Sequence, residues 1–491
     1  MGDDLWIEKK IVILGAGVSG HTAALYAKRF LRDKADITVV SPEKDYNWIP
    51  SNIWVGVNQM REEDVLFPLL PVYTKKEITF IRGRGIELFP EGTKESEKSF
   101  VVYESTNEKT KGEKHNLDYD YLINATGPKL NFEATKGLGP DYHIYSVCTA
   151  HHATQAGAKL NACIEEMKKG KHLTLVVGMG HGTCTCEGAA FEYVFNVDTE
   201  LRRHKVRDKA RLIFLSNEAA LGDFGVDGIQ LEMAGYITPS NILAESLFTE
   251  QKIVWILGAH VKNITETQIE YESLDATTSI LDYDFAMLLP PFKGHLLKTS
   301  NKDGIDISDK IFNTNNFMKV DADYTPKTYQ EWKSSDWPKY YQNPTYKNLF
   351  AVGIAFAPPH QISQPRKNSN GTVITPSPPR TGMPSAIMGR IVARNIADQI
   401  LGNNNPPHSA SMAELGAACI ASIGAGFTKG SAVSITMDPI VPNFEKYPET
   451  GRDIKSIFGE VGRAGHWIKR LLHTLFIYKA KAKLLWWIIP E

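Results

Sequence analysis

Long apolar runs are missing from this chain of 491 residues. No stretch approaches the roughly 20 consecutive apolar residues of a membrane-spanning helix, so an integral membrane protein is not expected. Cysteine is scarce: five thiols are too few and too scattered for a disulfide scaffold, and their odd number leaves at least one unpaired. An excess of one charge is missing too. The formal net charge is -1, so nothing global points to nucleic acid, and no metal site is expected. The opening MGDDLWIEKK has no apolar signal core or cleavage site, and it lacks the Ser or Thr of a myristoylation motif. Classical export is therefore not expected either.

What is present begins at residue 11. The length suggests two or three domains, and a composition 42% hydrophobic and 23% charged is that of a globular protein. Residues 11–14 (IVIL) read as a buried parallel strand, followed at once by GAGVSG and the helical pattern HTAALYAKRFLRD, then a second strand at 37–40. The chemistry of a dinucleotide turn needs each of these glycines: Gly15 for the tight turn, Gly17 for approach of a pyrophosphate to the backbone, Gly20 for packing of helix on strand. The helix N-terminus then faces the phosphate. Ser41 stands where an acid is often found after the second strand. Glu43, two residues on, is the favoured ribose ligand, with a solvated loop glutamate as the alternative. Ala125, Thr126 and Gly127 form the turn typical of the strand that closes an FAD-binding unit.

A second strand–turn–helix starts at 173–177 (LTLVV), with another strand from Arg211. Its turn carries Gly178 and Gly180, but Thr183 stands where the third glycine belongs, and Cys184 and Cys186 occupy the start of the helix. A bulky, reactive turn fits a pyrophosphate poorly. A thiol at a helix N-terminus has its thiolate stabilised by the backbone dipole, which suits a redox cysteine; the alternative is a buried, inert thiol. Cys163 falls inside an amphipathic helix and reads as core. Cys148 and Cys419 lie elsewhere in the sequence, which alone does not bring them together. From Gly465 the chain reads GHWIKRLLHTLFIYKAKAKLLWWIIPE. Ile468, Leu471, Leu472, Leu475 and Phe476 recur at helical spacing, with Lys469, Arg470, Lys479, Lys481 and Lys483 for charge and Trp486, Trp487, Ile488 and Ile489 at the end. This is the pattern of a helix lying in a membrane interface, the alternative being a helix packed on its own protein.

These motifs, together with YNWIPSNIWVGV, SVCTAHHA, CEGAAFEY, YDFAMLLPPFKG, NLFAVGIAFAPP, PRTGMPSAIMGRIVARNIA and AACIASIG, resemble the sulfide:quinone oxidoreductases, relatives of flavocytochrome c sulfide dehydrogenase and the type-two NADH dehydrogenases. The resemblance implies an α/β fold with two Rossmann-like dinucleotide-binding domains and a C-terminal amphipathic membrane-interface helical region. The expected layout is an FAD-binding domain at 1–128 and 281–403, a second Rossmann-like domain bearing redox cysteines at 129–280, and a C-terminal region at 404–491 with the third cysteine. Cys186 and Cys419 would bridge through sulfur near the flavin. Cys148 would lie beside the ring, where some members link it to FAD. HS⁻ would open the bridge, and the released thiolate would pass electrons to the flavin and on to a quinone. His152 or Glu192 would manage protons, or serve as structural hydrogen-bond partners. The FAD site would also take in Pro50, Gly353 and Gly382; a quinone would meet Ile354, Phe356, Met383 and Phe427. Two departures stand out: Asp223 replaces a family histidine, and Arg380 replaces a lysine. The longer, polar stretch 360–379 reads as a flexible loop with no assigned role. The implied partners are sulfide, a membrane quinone and the bilayer surface; a homo-oligomer and the side of the membrane stay open. The rival readings are an NADH:quinone dehydrogenase, with Glu218 holding the NAD ribose, and a non-catalytic flavin-bearing sensor.

Overall fold

The computed structural model describes residues 8–233, 235–379, 382–423 and 430–491. Strands β1 (Lys9–Leu14), β2 (Ala35–Ser41), β3 (Thr79–Phe89), β4 (Phe100–Ser105), β5 (Lys114–Asp118) and β6 (Tyr121–Asn124) form the first sheet in the order β6-β1-β2-β3-β4-β5. The pairs around β1 and β2 are parallel, and β3–β5 are antiparallel hairpins. Ile11, Val12, Ile13 and Leu14 are all buried, as an apolar run covered on both faces requires. Helix α1 (Val18–Leu31) crosses from β1 to β2 and buries Ala23, Ala24, Tyr26 and Ala27.

Helix α2 (Ala150–Lys168) leads to a second parallel sheet. Its strands are β7 (Leu173–Met179), β8 (Ala210–Leu215), β9 (Val254–Ile256) and β10 (Phe285–Leu289), in the order β9-β8-β7-β10. Side chains alternate across it: Leu175, Val177, Leu212 and Phe214 join the main core, while Val176, Ile213, Ala286 and Leu288 form a smaller core on the other face. Helix α3 (Glu187–Arg203) follows the cysteine turn between β7 and β8. The chain then returns to the first sheet, where β11 (Leu349–Ala351) pairs in parallel with β6, and α4 (Gly382–Leu401) packs on α1. Last come three antiparallel strands, β12 (Ala417–Ile423), β13 (Ser431–Met437) and β14 (Gly459–Gly462), packed against helix α5 (Arg463–Ala480).

Two expectations change here. The stretch 360–379 is pinned rather than free. Asn368 and Asn370 donate to the buried Glu272 at 2.8 and 2.6 Å, and the Thr375 and Ser377 N–H groups bond to the carbonyls of Gly182 and Cys184, each at 2.9 Å. The tail is also partly internal. Lys469 is paired with buried Glu192, and Lys479 with Glu491, so neither charge is offered to solvent. Trp486 is buried edge-on to Tyr26 at 4.8 Å. An amphipathic pattern marks a face as apolar but does not name what covers it. Among the described residues no helix is long and apolar enough to cross a membrane.

Candidate functional site

The turn after β1 is shaped by close contact. At Gly15, whose φ is +102°, a Cβ would stand 2.2 Å from the carbonyl oxygen of Ala125; at Gly20 it would stand 2.1 Å from that of Gly15. Neither position admits a side chain. Around Gly17 the same test meets nothing within 4 Å. This open space lies at the N-cap of α1, which has no side-chain cap and no acid in its first turn. The arrangement fits a dinucleotide pyrophosphate held by backbone N–H groups. Ala125, Thr126 and Gly127 follow β6 beside this turn, with Thr126 Oγ1 donating to Asn124 at 2.8 Å. Gly353 opens a short turn after β11 next to Ser19 of α1, and Gly382 begins α4. Glu43 is exposed past the end of β2, its N–H bonded to Ser41 Oγ at 3.3 Å. Pro50 lies in a short turn at Ile49–Ser51.

Only one of the two neighbouring cysteines sits at the helix start. Cys186 is the N-cap of α3, in the left-handed region at φ 70°. Cys184 is outside the helix and wholly buried, its Sγ donating to Leu289 O at 3.1 Å, and burial pushes its thiol well above the ordinary range. The helix dipole therefore does not reach Cys184, and of the pair only Cys186 holds the helix start. The turn itself is fixed by Asn217, which donates to the carbonyls of Gly182 and Cys184 at 3.2 Å each, and by Thr185 Oγ1 to Pro378 O at 3.1 Å.

Cys419, on β12, comes to this turn from far along the chain. Its Sγ lies 3.4 Å from where a Cβ on Gly188 would stand, in the first turn of α3. Glu192 accepts from the N–H and hydroxyl of Ser422 at 3.0 and 2.5 Å, and it takes the Lys469 ammonium as well. Asn196 donates to Ser422 O at 2.8 Å. These bonds clamp β12 and α5 to α3, which gives Glu192 a fastening role. Burial, helped by the Glu192 charge and opposed by Lys469, pushes the Cys419 thiol up to about 11. Burial also pushes Cys148, just before α2, up to about 11; its N–H bonds to Ser146 Oγ. His152 sits in the first turn of α2, edge-on to Phe132 at 5.9 Å, with Nδ1 buried and unpartnered and its pKa lowered by burial. Cys163 is core.

Glu218 faces inward. It is 1% exposed, accepts from Ser216 Oγ and Phe224 N at 2.8 Å each, and is lifted to about 7 by burial and by Asp223. It is not placed to grip a ribose. Glu187, equally buried, was not singled out from the sequence, because an acid in a first helical turn reads as a surface dipole partner. On the expected quinone side, Phe356 is committed to the core against Tyr341 and Trp337. Ile354 is half-buried. Met383 lines an apolar cleft with Val18, Leu25, Trp48, Phe476 and Trp486 between α1, α4 and the tail. Phe427 and Arg380 lie outside the described residues.

Residues 9–209 match the family model described as pyridine nucleotide-disulphide oxidoreductase. The chain is 30% identical over 475 residues to a sulfide-quinone reductase of Aquifex aeolicus (strain VF5), covering 96% of this chain and 91% of that relative. It is 29% identical over 214 residues to a mitochondrial sulfide:quinone oxidoreductase of Dictyostelium discoideum, covering 43% of each. The crystal structure of the sulfide:quinone oxidoreductase from Aquifex aeolicus matches with a TM-score of 0.74 at 28% identity, over 96% of this chain and 92% of that one.

Proposed function

The chain belongs to the sulfide-quinone reductase family, and on that premise we propose that it oxidises sulfide to zero-valent sulfur or polysulfide at Cys186 and Cys419 and passes two electrons through FAD to a membrane quinone. The observation that carries this reading is the seating of Cys419 Sγ against the first turn of α3, whose N-cap is Cys186.

HS⁻ attacks a sulfur of the bridge between the two cysteines. That sulfur–sulfur bond breaks; one cysteine keeps the –SSH and the other leaves as a thiolate. The α3 N-terminus favours negative charge on sulfur at Cys186, which suits a persulfide there. A bound flavin would supply the two-electron acceptor between sulfide and the quinone. Gly15, Gly17, Gly20 and the 125–127 turn would hold its pyrophosphate side, Glu43 its ribose, and Gly353, Gly382 and Pro50 the remaining wall. Cys148 is assigned to the ring, where a flavopeptide mass would reveal a covalent link. His152, with its unpartnered Nδ1, is the proton-handling candidate of α2.

Association with the bilayer surface is supported by the exposed Trp467, Ile468, Leu471, Leu484, Leu485 and Ile488, with the exposed Lys483 among them. The quinone would enter from lipid into the cleft that contains Met383. The test is an anaerobic titration followed by flavin absorbance. Sulfide should bleach the wild type and not Cys419→Ser; equal bleaching of the variant would remove Cys419 from the mechanism.

A further inference from the structure

Three carboxyl groups that the mechanism leaves idle gather beside the cysteine turn. Glu187 follows Cys186 directly and is 1% exposed, and both its oxygens are buried without a hydrogen-bond partner. Its Oε2 lies 3.3 Å from where a Cβ on Gly225 would stand. Glu218 presses on the same turn, accepting from Phe224 N at 2.8 Å. Asp223 belongs to that turn and accepts from Gly225 N at 2.9 Å and Ser363 Oγ at 2.6 Å. From there the path reaches solvent. The Asp227 N–H donates to Ser363 Oγ at 3.3 Å, and the exposed Asp227 accepts from Tyr329 at 3.1 Å.

Among the described residues Arg452 is the cation that feels Asp223 and Asp227, and it is not ion-paired with either. Among the described residues none of the three forms a salt bridge. Arg452, the nearby cation, spends its donors on the carbonyls of Val226, Gly228, Pro439 and Ile440. The buried Cys184 thiol faces Glu187 from the turn, and Tyr329 and Asp227 stand at the outer end. Acids crowded together with no ion pair to hold them ionised share protons. Burial first, then repulsion by Glu218 and Asp223, raises Glu187 well above the carboxylate range; burial and Asp223 raise Glu218 to about 7, and burial and Asp227 raise Asp223.

We propose that Glu187, Glu218 and Asp223 are the proton relay of the sulfur chemistry at Cys186, taking the proton that sulfide brings and passing it along the 223–227 turn to solvent. This rests on the reading of Cys186 as a sulfide-reacting cysteine. The persulfide on Cys186 gives its proton to Glu187 as Glu187 gives its own to ionised Glu218. The products are Cys186–S–S⁻, Glu187 still protonated, and Glu218 now neutral; one negative charge has moved from Glu218 to sulfur, and no electron has moved. Glu218 then discharges through Asp223 toward water at Asp227.

The experiment is anaerobic stopped-flow reduction of the flavin at saturating sulfide, from about pH 5 to about pH 9, where the profile reports groups of the bound complex. The wild-type limiting rate should rise with a midpoint near 7, the value for Glu218. Glu218→Gln should lose that midpoint and slow about a hundredfold, and Glu187→Gln should slow comparably. A wild-type rate and profile in Glu218→Gln overturns the relay while leaving the sulfide reading intact. A wild type that sulfide does not bleach overturns that reading and the relay with it. A second readout is independent of the variants' folding. Infrared difference spectra of the wild type, sulfide-reduced minus oxidised, should show a protonated-carboxyl band change; an unchanged carboxyl region overturns the relay.

Discussion

A single lysine helps to hold the third cysteine in place. Lys469 neutralises Glu192, and both side chains are largely withdrawn from water, at 11% and 7% exposed. Breaking a buried pair leaves a stranded charge and costs about 3–5 kcal/mol, whereas replacing both partners by apolar groups is often near neutral. Lys469→Met should lose that much stability to urea and also slow flavin reduction by sulfide, because β12 loosens; Lys469→Met/Glu192→Leu should recover most of the stability. Among the thiols, Cys186→Ser should abolish sulfide-driven flavin reduction with FAD retained, and Cys184→Ser should be mild, since serine can also donate to Leu289 O. Equal damage from both in the same stopped-flow assay would exchange their roles. Glu218 carries a pH signature of its own. Its folded pKa of about 7 exceeds the ordinary value, so the folded state binds the proton more tightly. Its contribution is therefore favourable at low pH and is lost as pH rises from about 4.3 to about 7, by at most about 4 kcal/mol. Urea midpoints measured across that window should fall less steeply in Glu218→Gln.

At the scale of an element, α5 serves two faces. Trp467, Ile468 and Leu471 point outward, while His466, Lys469 and Phe476 point inward, Phe476 stacked on Trp48 at 5.0 Å. The sequence reads as a detachable amphipathic anchor with five basic residues. In the folded chain Lys483 stays exposed, while half-buried Arg470 and Lys481 lie over the Trp54 and Phe67 rings; in the proposed contact with an anionic surface each available cation would contribute about 1 kcal/mol. Anchoring of the proposed kind would lean more on apolar burial, at roughly 25 cal/mol per Å². Leu484→Glu/Ile488→Glu should weaken co-sedimentation with anionic liposomes and leave flavin reduction by sulfide unchanged. Removing everything from Gly465 should lose both, because it also removes Lys469. A truncated chain that keeps full sulfide activity would show that the Glu192 pairing is dispensable.

At the scale of the molecule, the second sheet has the outline of a nucleotide-binding unit but its turn is occupied by the protein itself. Thr375 and Ser377 bond to the carbonyls of the cysteine turn, Thr183 replaces the third glycine, and Glu218 is buried. NADH should accordingly fail to bleach the flavin under anaerobic conditions in which sulfide succeeds, and bleaching by NADH would reopen this turn as a cofactor site. The first sheet was legible from the chain because its signals are short-range: an apolar run, three glycines and a helical period within twenty-odd residues of each other. The polar stretch 360–379 was not, because its order comes from Glu272 and from carbonyls of the cysteine turn, partners far away in sequence.

The sequence by itself determined the strand–turn–helix at residue 11, where contacts between Gly15, Gly20 and Ala125 forbid side chains, and the apolar alternation of the parallel strands. These follow from backbone sterics and local periodicity, which any reader of the chain can apply. Only the tertiary structure decided that Cys419 meets the first turn of α3, that Glu187, Glu218 and Asp223 face one another, and that Lys469 turns inward. Those arrangements rest on a buried ion pair and hydrogen bonds between residues as far apart as Glu192 and Ser422, 230 positions along the chain. Charge and hydropathy say that such groups need partners, and only the packed fold says which.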